Sequence, residues 1–149
     1  MNRREARENA FITLFAAQFG GDVQEALEAG REVGDYAVDE FGEGLLALYQ
    51  ANAPQVDSVI EARLKGWKMQ RLQKVSAAIL RISVAEMLYG TEDLDSVIIN
   101  EAVEITKKYG GEDEYQFVNG VLGSVSREEP KAAGGAAPKP NAPAGTEEG

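Results

Sequence analysis

Apolar side chains recur along this chain at three- and four-residue spacing and nowhere in strict alternation, which predicts helices and no strands. One segment departs from the one-sided pattern. From Val75 to Tyr89, VSAAILRISVAEMLY, the residues Val75, Ile79, Leu80, Ile82, Val84, Met87, Leu88 and Tyr89 point in most directions around a helix. Such a helix is buried on several flanks, so the others are expected to pack around it. Its polar members, Ser76, Arg81, Ser83 and Glu86, then need partners or an opening to solvent.

The flanking pattern supplies six more helices. Asn2 followed by Glu5 has the form of a capping box, and Ala10, Phe11, Leu14, Phe15 and Phe19 then form a stripe, giving a first helix over about 3–19. Asp22 and Glu25 open an acidic second helix that fades near Gly30 and Gly34. Val38, Phe41, Leu45, Leu48 and Tyr49 mark a third that ends before Pro54, and Val56, Val59, Ile60 and Leu64 a fourth. In the connection GWKMQRLQ, Trp67 lies between Lys65 and Lys68. Its expected role is to anchor the connection onto the core, stacking on a nucleobase being the alternative. Beyond a turn from Gly90 to Asp95, Val97, Ile98, Ala102, Val103, Ile105 and Tyr109 define a helix whose C-terminus suits Lys107 and Lys108 and which stops at Gly110. Glu101 on it is a candidate partner for Arg81. The last helix begins near Asp113 or Glu114 and buries Val118, Val121, Leu122 and Val125, with Phe117 at the edge of the stripe, either core or left at the surface. From Pro130 the run PKAAGGAAPKPNAPAGTEEG has no apolar period and reads as a disordered tail over 130–149, leaving an all-α domain over 1–129.

Composition removes whole classes of chemistry. With no cysteine and no histidine, neither disulfides, the usual zinc ligand sets nor a Ser–His–Asp triad can be assembled. No catalytic residue, metal or cofactor is expected, and no apolar run is long enough for a membrane span, so the chain reads as cytoplasmic. The net charge of −10 conceals blocks. Between Asp22 and Glu61 stand ten acidic residues against Arg31 alone, whereas residues 62–81 carry six basic residues and no acidic one. This basic island, from Arg63 through Lys65, Lys68, Arg71 and Lys74 to Arg81, focuses positive field on one surface of an acidic protein. The first helix starts with Arg3, Arg4 and Arg7, where its dipole disfavours cations. Two readings fit: a solvated face with Arg4 paired to Glu8, or an arginine arm reaching phosphates.

Four blocks, RREARENAF, AAILRISVAEML, INEAVEITKKYGGED and FVNGVLGSV, make residues 3–126 resemble the NusB family of bacterial transcription antitermination factors. The resemblance implies about seven helices in two small bundles, the first formed by helices one to three, with the long apolar helix in the second bundle but touching the first. It further implies a non-catalytic adaptor that binds the single-stranded boxA element of nascent ribosomal RNA transcripts together with NusE, a small-subunit ribosomal protein. RNA polymerase and other Nus factors complete that antitermination complex. On the matching positions, Arg3, Arg4 and Arg7 would contact phosphates, and Phe15, Asp113, Gln116 and Phe117 would face bases. Glu5 and Gln116 stand where the family often carries basic residues, and Ser76 where some members have an acid, which predicts weak RNA binding without NusE. The stretch Arg63, Lys65, Lys68, Arg71, Lys74 with Ser76 is assigned to a partner surface or to balancing the acidic first bundle, RNA contact being the third reading.

Two other functions compete with this one. A NusB-like interaction module with little RNA binding would suit the acidic balance, and NusB-like domains also occur fused to RNA methyltransferases. The second lacks support, since no glycine-rich cofactor loop is present. Some members of the family also pair through the surface that would otherwise meet RNA.

Overall fold

Asn2 opens the first helix in a computed structural model of the chain, which describes residues 2–34 and 37–131: its side chain accepts from the Glu5 amide at 2.8 Å while the Glu5 carboxylate accepts from the Asn2 amide at 3.1 Å. This reciprocal cap starts α1 (Arg3–Ala17), and the same device, Asp22 with Glu25, starts α2 (Val23–Val33). Asp39 caps α3 (Glu40–Ala51), and Pro54 sits in the first turn of α4 (Ala53–Glu61), where its missing N–H is no loss. A single 3₁₀ turn (Met69–Arg71) leads to α5 (Lys74–Tyr89), followed by α6 (Asp95–Tyr109) and α7 (Glu112–Glu128). Seven α-helices and no strand make up the described residues. Residues 132–149 of the expected tail lie outside them.

The long apolar segment is α5, and twelve of its sixteen residues are buried. It packs against α1, α3, α4, α6 and α7, so one continuous core runs from Ala10 in α1 to Val125 in α7. The first bundle, α1 to α3, is thus joined to α4 through α7 across α5. Gly42 permits the approach of α3 to α1, because a Cβ there would stand 3.2 Å from the Ala6 carbonyl oxygen and 2.6 Å from a Val38 methyl.

The sequence placed three arginines in one exposed arm, and the structure separates them. Arg7 is 4% exposed and lies between bundles, its guanidinium donating to both Glu86 oxygens at 2.9 and 2.6 Å and to Asp93 at 2.7 Å. Glu86 is itself 3% exposed. Burial works against the charged guanidinium, but the hydrogen bonds and charge of Glu86, then of Asp93, outweigh it and raise Arg7 above its ordinary value. A side chain held in this way cannot reach a phosphate outside the protein, which removes Arg7 from the expected RNA-contacting group. Arg81 likewise takes Asp57 (3.1 and 3.2 Å) and Gln18 (2.8 Å) rather than Glu101.

Truncating either member of the inner pair leaves a charge buried without its partner. We therefore expect Arg7→Ala or Glu86→Ala to cost about 3–5 kcal/mol in urea unfolding. The double replacement Arg7→Met, Glu86→Leu removes both charges and should lose far less than the sum of the single truncations.

Candidate nucleic-acid interface

At the N-terminal end of α1 the two remaining arginines lie at the surface, each against a carboxylate from the second bundle. Arg3 pairs with Glu92 and stacks its guanidinium 3.8 Å from the Phe41 ring centroid. Arg4 forms a two-point contact with Glu101, at 2.7 and 3.1 Å. The Glu101 hydrogen bond and charge raise Arg4, and the Arg4 hydrogen bond in turn holds Glu101 below the usual carboxylate range. Glu8, the expected partner of Arg4, is taken instead by Lys108 at 2.6 Å and by the Tyr109 hydroxyl. Partial burial opposes the Glu8 charge, and the bonds from Lys108 and Tyr109 overcome it, lowering its pKa. These pairs clamp α1 along α6.

The C-terminal end of α1 carries aromatics. Phe11 is buried, Phe15 is half-buried 5.9 Å from it, and Phe19 follows 5.1 Å from Phe15. The expected helix to residue 19 ends at Ala17, so Phe19 leaves the core stripe and is 64% exposed, with the Lys74 ammonium 5.8 Å from its ring.

Lys74 begins α5, and on the other flank of that helix end lies a groove of about 390 Å³. Its walls bring together Ser76 of α5, Asp113 and Phe117 of α7, and Lys65, Trp67 and Arg71 of the α4–α5 connection. Lys65 (φ 54°) and Gly66 (φ 93°) are consecutive left-handed residues that turn the chain, a geometry glycine tolerates at no steric cost. Trp67 is 59% exposed, against the expectation of a core anchor, and Met69, which is buried, pins the connection instead. Phe117 is 37% exposed, which settles its open assignment in favour of the surface. The Ser76 hydroxyl donates to Glu114 at 2.8 Å.

Gln116 stands apart from Asp113 and Phe117. It lines a second groove, about 490 Å³, between α6 and α7, with Asn100, Tyr115 and Asn119. Arg63 also leaves its expected group: its guanidinium turns inward to Glu128 and Glu129, both at 2.9 Å, and to Ser124 at 3.2 Å. On the sequence, Phe19 belongs to the core stripe and Trp67 is favoured for the core, with base stacking as the alternative, and both rings are exposed. The signal available was position, since Phe19 stands next to the Gly20–Gly21 break and Trp67 between two lysines.

Comparison with known proteins gives a consistent result. The NusB family model matches residues 4–127. Transcription antitermination protein NusB of Bacillus mycoides strain KBAB4 and that of Bacillus cereus strain B4264 are each 37% identical over 131 residues, covering 84% of this chain and 97% of theirs. Among solved structures, NusB of T. maritima matches with TM-score 0.75 and 30% identity over 86% of this chain and 92% of its own. A structure of the antitermination factors NusB and NusE in complex with dsRNA also gives TM-score 0.75, at 27% identity over 84% and 96% of the two chains.

The clamp between α1 and α6 carries a pH signature. Glu8 and Glu101 have pKa values below the ordinary 4.5, so their stabilisation is complete above 4.5 and is lost as pH falls through the folded values. Thermal melts should show wild type more stable than Glu101→Gln at neutral pH, with the difference shrinking toward zero as the solution is acidified.

Proposed function

The chain belongs to the NusB family, and we infer from that membership that it is a transcription antitermination factor which binds RNA together with NusE. The observation that carries this is the family match over residues 4–127, which takes in every helix of the fold. The finer reading is that the chain recognises the single-stranded boxA element of nascent ribosomal RNA as an adaptor without chemistry of its own, working in the cytoplasm with RNA polymerase and the other Nus factors. Among the described residues no helix is long and apolar enough to cross a membrane.

Several placements support the finer reading. Arg3 and Arg4 keep about half of their side-chain surface exposed despite their carboxylate partners. The Arg3–Glu92 pair is open to solvent on both sides and screened accordingly, so a phosphate can exchange for that carboxylate. Phe15 at the far end of α1, and Asp113 and Phe117 at the start of α7, offer stacking faces and a polar edge for unstacked bases, and Gln116 an amide on the adjacent face. The competing reading is an interaction module with little RNA binding of its own. It is favoured by the −10 charge and by the carboxylates already facing each arginine of α1.

The deciding measurement is binding of a labelled boxA-type single-stranded RNA, with and without NusE, across a salt series and against a scrambled sequence. Tighter, sequence-selective binding with NusE is expected. Arg3→Ala with Arg4→Ala should flatten the salt dependence by about 0.7 in slope per lost phosphate contact, and Phe117→Ala should weaken binding by ~1–3 kcal/mol. No selectivity beyond that of NusE alone, with the protein complex formed, would leave the interaction module.

A further inference from the structure

A groove of about 680 Å³ runs between α3 and the last turn of α5. Phe41, Leu45 and Leu48 line it from α3 and Tyr89 from α5, and Phe41, Leu48 and Tyr89 are each only half-buried. Gly44 stands in the α3 wall, where nothing lies within 4 Å of the place a Cβ would take, so the groove is open along that side. Two exposed acids, Glu40 and Glu92, also line it. Glu92 is paired with Arg3, whereas Glu40 has no ion-pair partner among the described residues. The Tyr89 hydroxyl has no hydrogen-bond partner among those residues either, and burial pushes its pKa up, which leaves a protonated donor facing no acceptor.

The chain itself arrives at this place. The Lys131 ammonium donates to the Met87 carbonyl and pairs with Asp95 at 2.8 Å, which brings the end of the described chain to the turn of α5 that carries Tyr89. Residues 132–149 follow, outside the described residues, and their sequence holds Pro138, Pro140 and Pro143, with Lys139 as its one cation. From Lys131 to Pro138 an extended chain reaches ~22 Å at ~3.1 Å per residue, enough to pass around a helix ~10–12 Å across. We propose that residues 138–143 of this chain, PKPNAP, dock in the groove between α3 and α5. The proline rings lie against Phe41 and Tyr89, a backbone carbonyl accepts from the Tyr89 hydroxyl, and Lys139 faces Glu40.

Three features select this occupant over others. Aromatic-lined grooves suit proline-rich segments, because proline presets the extended backbone and little freedom is lost on docking. A sequence without an apolar period builds no core of its own, yet a preformed groove asks of it only a few ring contacts and one hydrogen bond. Charge points the same way, since Lys139 complements Glu40 while an acidic peptide or a polyanion meets two carboxylates there. Attachment supplies the rest: a segment tethered beside its site is present at an effective concentration in the millimolar range, which a segment of another molecule does not match.

The chain has no cysteine, so Asn141→Cys provides one thiol for a nitroxide label on the full-length protein. The label should erase the amide NMR signals of Gly44 and Gly90, in the groove, and spare those of Ser96 and Asn100, on the α6 side of the point where the chain leaves. Replacing Pro138, Pro140 and Pro143 together by Ser should bring the groove signals back. Gly44→Gln fills the groove from a position with room for a side chain and favours the helix, so it should restore the Gly90 signal with the melting temperature unchanged or raised. Loss of signal on both flanks alike, or no loss at Gly44 and Gly90, would overturn the docking. So would a loss that persists in both the proline and the Gly44 variants. Isotope-enriched wild type mixed with unenriched, nitroxide-labelled protein should keep its groove signals; their disappearance in that mixture would assign the groove to the segment of a second copy and overturn docking within one chain.

Discussion

A guanidinium enclosed by two carboxylates sits where the two bundles of this molecule meet. Arg7 belongs to the first helix of the first bundle, Glu86 to the central helix, and Asp93 to the turn that leads into the next. Once the apolar face of α1 is laid on α5, the Arg7 side chain has no route to water, and its charge is tolerable only where those acids converge. The requirement fixes the rotation and height of α1 on α5. Each outer contact of α1 then falls into register, with Arg3 against Glu92, Arg4 against Glu101 and Glu8 against Lys108. Hydrophobic burial brings the bundles together; the inner ion pair specifies how they meet.

That register also shapes the surface. By drawing the arginines of α1 onto carboxylates of the second bundle, the fold neutralises most of the positive charge at one end of the molecule. Among the described residues, the connection between α4 and α5 receives such partners only at Arg63, and Lys65, Lys68 and Arg71 have none. An acidic protein is left with one outward-facing group of free cations, beside two exposed aromatic rings. The charge pattern along the chain and the ion pairs across it together confine the favourable surface for a polyanion to a small area, and the acidic faces of α2 and α3 discourage it elsewhere.

Much of this architecture was legible in the sequence, because helix periodicity and capping are local properties. The capping boxes at Asn2 and Asp22, the burial of α5 and the helical class follow from residues within a few positions of one another. The fate of individual charges was not, and Arg7 shows why: its acceptor lies 79 positions away, and periodicity records which face of a helix is apolar without saying what will be set against it. Glu101, a candidate partner of Arg81 on the sequence, fails for the same reason, and Arg81 takes Asp57. Trp67 was expected in the core because large aromatics at the end of an amphipathic helix usually pack there. The left-handed pair at Lys65 and Gly66 reverses the chain just before it, and Met69 fills the space instead. Phe15, Asp113 and Phe117 could be named from motif resemblance, yet only the packing of α7 on α5 separates Gln116 from them onto another face.

The described chain begins and ends on the same side. Arg3 meets Glu92, and Lys131 contacts Asp95 at 2.8 Å and the Met87 carbonyl, so both ends lie beside the last turn of α5. The Trp67–Phe117 groove lies at the first turn of that helix, about 20 Å away along its axis. A group attached directly at Asn2 or at Lys131 is thereby kept off the groove. Held at either of those positions, the molecule would present that face outward, with the long helix itself serving as the spacer.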